Sequence, residues 1–191
     1  YARVRVSDTL KQHRRSRFPA CNVKQRNEPV ATNTIFSNTS AVDSGVTAAQ
    51  IFVGRDTLVA DCYGLKTDKE FVNTLEDNVR ERGAMEKLIS DCSKAEMSLR
   101  VQQILRALCI SAWYSEPYHE NQNFAENRYS TIKSTTNRVM NRSGAPANTW
   151  LLCLLYVCLL VNHLASASLH WIPPEQKMTG RTPDISKFLH F

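Results

Sequence analysis

At 191 residues the chain can bury one sizeable core and is short for two full domains. A hydrophobic fraction of 42% and a charged fraction of 22% exclude a disordered or low-complexity polypeptide. The net charge of +6 sits in residues 1–30, where eight Lys/Arg face two acids, while the other 161 residues balance at sixteen of each sign.

Residues 1–28 are basic and polar without sustained period, which predicts a linker or arm suited to a polyanion such as nucleic acid. The chain opens on YARVRV without Met, the expected look of a piece of a larger polyprotein. From Pro29 the pattern turns to short β-branched runs. Val30–Ser37, Ala49–Arg55 and Thr57–Leu65 predict three strands of an antiparallel meander, with Asp43-Ser44-Gly45 as turn material. Thr67 and Glu70 then have capping-box spacing ahead of Phe71, Val72, Leu75 and Val79, and Gly83 stops that helix. Met85–Ser90 predicts a fourth strand ending at Asp91. Ser93 and Glu96 predict a second capping box, followed by a buried stripe of Met97, Val101, Ile104, Leu105 and Leu108.

Ile110–Tyr114 predicts a fifth strand, and residues 115–123 a polar loop. A third helix should run from about Phe124 to Asn141 with Tyr129, Ile132, Thr136, Val139 and Met140 inward. Pro146 opens an apolar helix over 147–164. Its run WLLCLLYVCLLV is too short for a bilayer, which needs about 20 apolar residues, so a core helix and no membrane partner are expected. The tail, 166–191, is Pro-rich and predicted irregular. Six scattered cysteines without a CxxC pair support neither a disulfide framework nor a zinc site, and point to a reducing compartment, nucleus or cytoplasm. Strand–helix–strand steps after Thr67 should be right-handed crossovers, making the whole an α/β fold with a mixed sheet flanked by helices.

Two acids stand at element ends where ligands collect in such sheets: Asp91 after a strand, Glu126 in the first turn of a helix. Each has a plain structural reading. Glu126 pairs by spacing with Asn123 as a cap and suits the helix dipole, and Asp91 can be a loop residue. Together they can bind a divalent cation, because Mg²⁺ typically takes one or two carboxylates.

Between these acids lie 34 residues, holding one helix, one short strand and a polar loop. That arrangement, with LISDCSKAE around Asp91, SEPYHENQNFAENRY around Glu126 and the tail MTGRTPDIS, resembles the catalytic core of copia-like retrotransposon integrases. Those proteins have the ribonuclease-H-like fold. The resemblance covers roughly residues 29–165 and implies a mixed five-stranded sheet, DNA integration by phosphoryl transfer, and three metal-binding acids with Mg²⁺ or Mn²⁺. Asp91 and Glu126 match two of the acids. The first acid's place is taken by Asn33, in ATNTIFSN, so weakened metal binding and impaired catalysis are expected. Asp43 and Asp61 do not match the motif.

The same resemblance implies DNA contacts at Gln122 and Lys133. Arg14, Arg15 and Arg17 would form a DNA-contacting arm. Partners implied are element-end and target DNA and a second copy of the chain in a homo-oligomer. A non-catalytic nucleic-acid-binding or assembly module derived from such an element is the alternative. The expected division is an arm at 1–28, the core-like domain at 29–165 and a tail at 166–191.

Overall fold

The structure, a computed structural model, describes residues 16–91, 96–114 and 124–188. Five strands form one sheet: β1 (Gln25–Phe36), β2 (Ala48–Gly54), β3 (Ala60–Leu65), β4 (Ala84–Ser90) and β5 (Ser111–Tyr114). Their spatial order is β3-β2-β1-β4-β5. β1, β2 and β3 are antiparallel neighbours, whereas β4 pairs parallel with β1 and with β5. The expected meander followed by crossovers is what forms.

The crossovers carry helices α1 (Phe71–Arg82) and α2 (Leu99–Ala107). Their apolar stripes, including Phe71, Leu75, Val101, Ile104 and Leu105, pack with Val30, Phe52, Met85 and Leu88 on one face of the sheet. The opposite face carries Ala31, Ile35, Ile51, Cys62 and Ile89. It is covered by α3 (Phe124–Ser143) through Ala125 and Ile132, and by α4 (Trp150–His163) through Leu151, Leu154, Val157 and Cys158. The period-2 alternation of β1, with Val30 on one face and Ala31 on the other, therefore feeds two separate cores.

Several boundaries depart from the sequence expectation. β1 starts at Gln25, inside the segment read as an arm, because Arg26 and Glu28 neutralise each other while buried. Pro29 is tolerated in a strand since the β1–β4 register shifts between Arg26 and Pro29, a bulge that needs no proline N–H. Glu70 accepts from the Lys66 N–H at 2.7 Å, one residue ahead of the expected Thr67 donor, and Thr67 contributes no side-chain cap, so the first capping box is replaced by this shifted contact. A short 3₁₀ turn, Asp68–Glu70, precedes α1.

Ser93, half of the second expected box, lies outside the described residues. Ser98 caps α2 by accepting from Val101 N, Glu96 is buried, and Met97 is exposed rather than part of the stripe. The hydrophobic stripe gave the period of this helix correctly and its start two residues early.

The apolar helix is a core helix, as expected, and no helix among the described residues is long and apolar enough to cross a membrane. Being apolar all round, it leaves Leu152, Leu155, Tyr156 and Leu159 outward. The tail is more ordered than predicted. It includes the short helix α5 (Pro174–Thr179), held by Glu175 to Arg82, and Phe188 packs edge-on against Tyr156 and His163.

Candidate functional site

Parallel pairing of β1 with β4 positions two of the expected site residues. The ladder sets Val30 beside Leu88 and Ala31 beside Ile89. Two residues further along each strand come Asn33 and Asp91. Strand alternation puts Asn33 on the face of Ala31 and Ile35, the side covered by α3. β4 ends at Ser90, so Asp91 is the first residue off the strand, at the carboxyl end of the parallel pair. Neighbouring strands lie about 4.8 Å apart. Continued by two residues, this register leads to positions 33 and 91, which are 58 apart in the sequence.

Glu126 belongs to the first turn of α3, on the same side of the sheet. Ala125 and Ile132 anchor the helix in the core, and the residue beside Ala125 turns part-way outward. Asn33, Asp91 and Glu126 are all half-buried. Asp91 and Glu126 already take part in interactions within the fold. The expected cap partner Asn123 lies outside the described residues, as does Gln122.

Lys133 is exposed and follows Glu126 by seven residues, two helical turns along one stripe. Its ammonium sits 5.8 Å from the centroid of the Tyr129 ring, a cation–π distance. Burial, and secondarily Cys62, push the Tyr129 hydroxyl's pKa up, which keeps it a neutral hydrogen-bonding group. Arg14 and Arg15 lie outside the described residues. Arg17 is exposed, beside the 3₁₀ turn Pro19–Asn22 that leads into β1.

Chemically, positions 33, 91 and 126 offer oxygen donors only: one amide and two carboxylates. Such a set suits a hard divalent cation. Among the described residues no three His, Cys, Asp or Glu side chains gather as a metal-binding group. With asparagine at position 33, this set brings two acids.

The acids weighed as substitutes are engaged elsewhere. Asp61 lies on β3, the sheet edge, and takes a two-pronged contact from Arg82, with Nη2–Oδ1 at 2.7 Å and Nε–Oδ2 at 2.9 Å. β2 separates it from β1. Asp43 is exposed in the β1–β2 connection and accepts from the Ser44 hydroxyl.

Two features near this end of the sheet were not anticipated. Glu96 is buried beside Gln50, whose amide nitrogen also donates to Thr32 and whose carbonyl oxygen accepts from Thr34. Sequence spacing suggested only a cap for Glu96. The second is Phe36, three residues after Asn33 and 75% exposed at the end of β1. A large aromatic on the last residue of a strand was the available signal.

This mixed sheet in the order β3-β2-β1-β4-β5, flanked by helices on both faces, is the integrase catalytic-core fold of ribonuclease-H-like type. Comparison with solved structures gives that result directly. The chain is similar to a simian T-cell lymphotropic virus intasome in complex with PP2A regulatory subunit B56 gamma, with TM-score 0.67 and 15% identity over 90% of this chain. It spans 63% of that protein's length. It is also similar to the HTLV-2 integrase catalytic core domain in complex with magnesium. The trimeric form gives TM-score 0.62 and 11% identity over 86% of this chain and 99% of that one; the dimeric form gives 0.59 and 11% over 87% and 100%. No protein-family model matches the sequence, and no curated protein does.

Proposed function

We propose that residues 29–165 are the catalytic core of a copia-like retrotransposon integrase, cut from or contained in a polyprotein, with its metal site at Asn33, Asp91 and Glu126. The observation that supports this reading is the β1–β4 register, whose pairs Val30–Leu88 and Ala31–Ile89 lead toward Asn33 and Asp91 on the side of the sheet faced by α3. The neighbours of like fold are a viral intasome and a viral integrase catalytic core domain, the latter in complex with magnesium in both its trimeric and dimeric forms. The residues ahead of β1 serve as a basic arm, and the segment after residue 165 is a tail, with Glu175 and Phe188 packed on the domain. The protein acts in nucleus or cytoplasm as a homo-oligomer on element-end and target DNA.

Asp91 and Glu126 would hold one Mg²⁺ or Mn²⁺ through carboxylate oxygens, with the Asn33 carbonyl oxygen as a neutral third donor. When bound, the cation supplies Lewis-acid stabilisation of a phosphodiester oxygen. Two such ions need a carboxylate able to bridge them, and an amide at position 33 brings neither the second oxygen nor the charge. Lys133 neutralises a DNA phosphate along the α3 face that carries Glu126, and Arg14, Arg15 and Arg17 add sequence-independent attraction. Gln122, four residues before Glu126 in the sequence, contacts DNA. Catalysis in this chain is therefore weak while DNA binding is kept.

Restoring the acid tests the assignment. Asn33→Asp is expected to raise Mg²⁺-dependent nicking or strand transfer on element-end DNA by at least the roughly 10–100-fold that changes around a metal site produce. The measurement is product formation on labelled DNA, with folding checked by circular dichroism. A folded variant with no gain removes position 33 from the site. If its DNA affinity still falls steeply with salt, the non-catalytic binding module is the better description.

A further inference from the structure

The groove along the outer edge of β3 has no part in the site described above. Its floor is β3 from Ala60 to Gly64, and it encloses about 670 Å³. One wall is α4, through Leu151, Leu155 and Leu159; the other is α1, through Asn73, Asp77 and Glu81. We propose that residues 2–6 of this chain, ARVRV, lie in the groove as a sixth strand antiparallel to β3. The proposal is independent of the DNA reading and leaves Arg14, Arg15 and Arg17 outside the groove.

Three observations converge. The first is the open backbone of β3. Asn162 pairs with the N–H and C=O of Ala60 on the side away from β2. Strand alternation turns the same groups of Cys62 and Gly64 to that side. Among the described residues no hydrogen bond reaches them there, and Gly64 is exposed. An edge of this kind is a template for one more strand.

The second is a match in chemistry between walls and segment. On the α4 side Leu155 and Leu159 are 38% and 47% exposed. The α1 side presents Asp77 and Glu81, with Glu70 toward the Gly64 end, where it accepts from Lys66 N. Arg82, the base among the lining residues, is already matched by Asp61 and Glu175. Residues 2–6 alternate Ala, Arg, Val, Arg, Val. A strand has two faces, so Ala2, Val4 and Val6 meet the leucines while Arg3 and Arg5 meet the acids.

The third is reach. Lys24 O accepts from Ala84 N at 2.7 Å, and the Asn22 side chain holds Ser16 through two hydrogen bonds. The described chain therefore starts near the end of α1, where Arg82 meets Asp61 at one end of the groove. Residues 7–15 separate Val6 from Ser16 and span up to about 30 Å. Entry from the Asp61 end sets the antiparallel direction, with Val4 opposite Cys62 and Ala2 opposite Gly64. A Cβ on Gly64 would lie 3.1 Å from Leu151 and 3.2 Å from Val46, so the place beside it suits the small Ala2.

The test is hydrogen exchange at the Cys62 and Gly64 amides of the full chain, followed by NMR. Both amides are expected to exchange about tenfold or more slowly than in Val4→Pro, which removes the N–H that bonds Cys62 O. Arg3→Glu/Arg5→Glu should lose the same protection, and Arg3→Lys/Arg5→Lys should keep it. All these changes lie ahead of β1, so exchange at the β2 amides should stay slow and report an intact sheet. Fast exchange at Cys62 and Gly64 in the parent chain overturns the proposal, as does protection that survives Val4→Pro or the charge reversal. Protection that rises with protein concentration also overturns it, because a second copy then covers the edge.

Discussion

Arg26 and Glu28 show how single residues decide where the sheet can begin. Both are buried on β1, with Arg26 Nε donating to Glu28 Oε1. Glu28 also accepts from Asp56 N, Thr57 N and the Thr57 hydroxyl. Burial alone would raise the Glu28 pKa, but the Arg26 charge and the Thr57 donors more than compensate, holding it below the ordinary carboxylate value. A depressed folded pKa means this stabilisation is present above the unfolded value of 4.5 and is lost as pH falls through the folded one. Glu28→Gln should destabilise the protein by about 3 kcal/mol at neutral pH, since it leaves Arg26 buried and unpaired. Urea melts should then show the gap between variant and wild type narrowing below pH 4.5. A gap independent of pH would show that the charge of Glu28 contributes nothing. Gly54 completes the cluster, because a Cβ there would collide with the Arg26 guanidinium.

At the scale of elements, β3 is an edge strand that the fold partly closes with one side chain. Asn162, on α4, accepts from Ala60 N and donates to Ala60 O, each at 2.9 Å, so its amide stands in for a neighbouring strand. The sequence signal for α4 was hydrophobicity, the run WLLCLLYVCLLV that ends just before Asn162. Its buried pairing with a strand 102 residues away had no local sign. Asn162→Leu keeps the volume and orphans two backbone groups. It should lower stability by about 2–4 kcal/mol, with faster hydrogen exchange at the Ala60 amide. Unchanged exchange there would show that solvent or a rearranged helix satisfies the edge equally well. α1 ends on comparable tertiary grounds. Gly83 has φ +101°, and a Cβ there would lie 2.6 Å from Lys24 O, so the glycine that stops the helix also admits the incoming chain.

Over the whole molecule, Arg82 ties three regions together. It contacts Asp61 on β3 and Glu175 on α5, the latter at 3.1 Å, and thereby anchors the tail to the domain. Burial opposes its charge, but the two carboxylates more than offset that and raise its pKa further, so it stays a cation throughout the working range. Arg82→Met should cost about 2 kcal/mol of stability, less than a fully buried pair because solvent reaches both ion pairs. Limited proteolysis should then cut within residues 174–188 sooner than in wild type. Equal cutting rates would show that Phe188, packed on Tyr156 and His163, suffices to hold the tail.

Periodicity and turn chemistry in the sequence determined the element order, the strand and helix types, and the helical stop at Gly83, because those depend on neighbours three or four residues away. The spacing between Asp91 and Glu126 also pointed to a site before any coordinates. Only the tertiary structure decided that β1 runs back to Gln25, that Glu96 is buried beside Gln50, that Asp61 is occupied by Arg82, and that the β1–β4 ladder leads toward Asn33 and Asp91. Each of these rests on contacts between residues far apart in the chain, whose free energy comes from burial and charge pairing that no local pattern records.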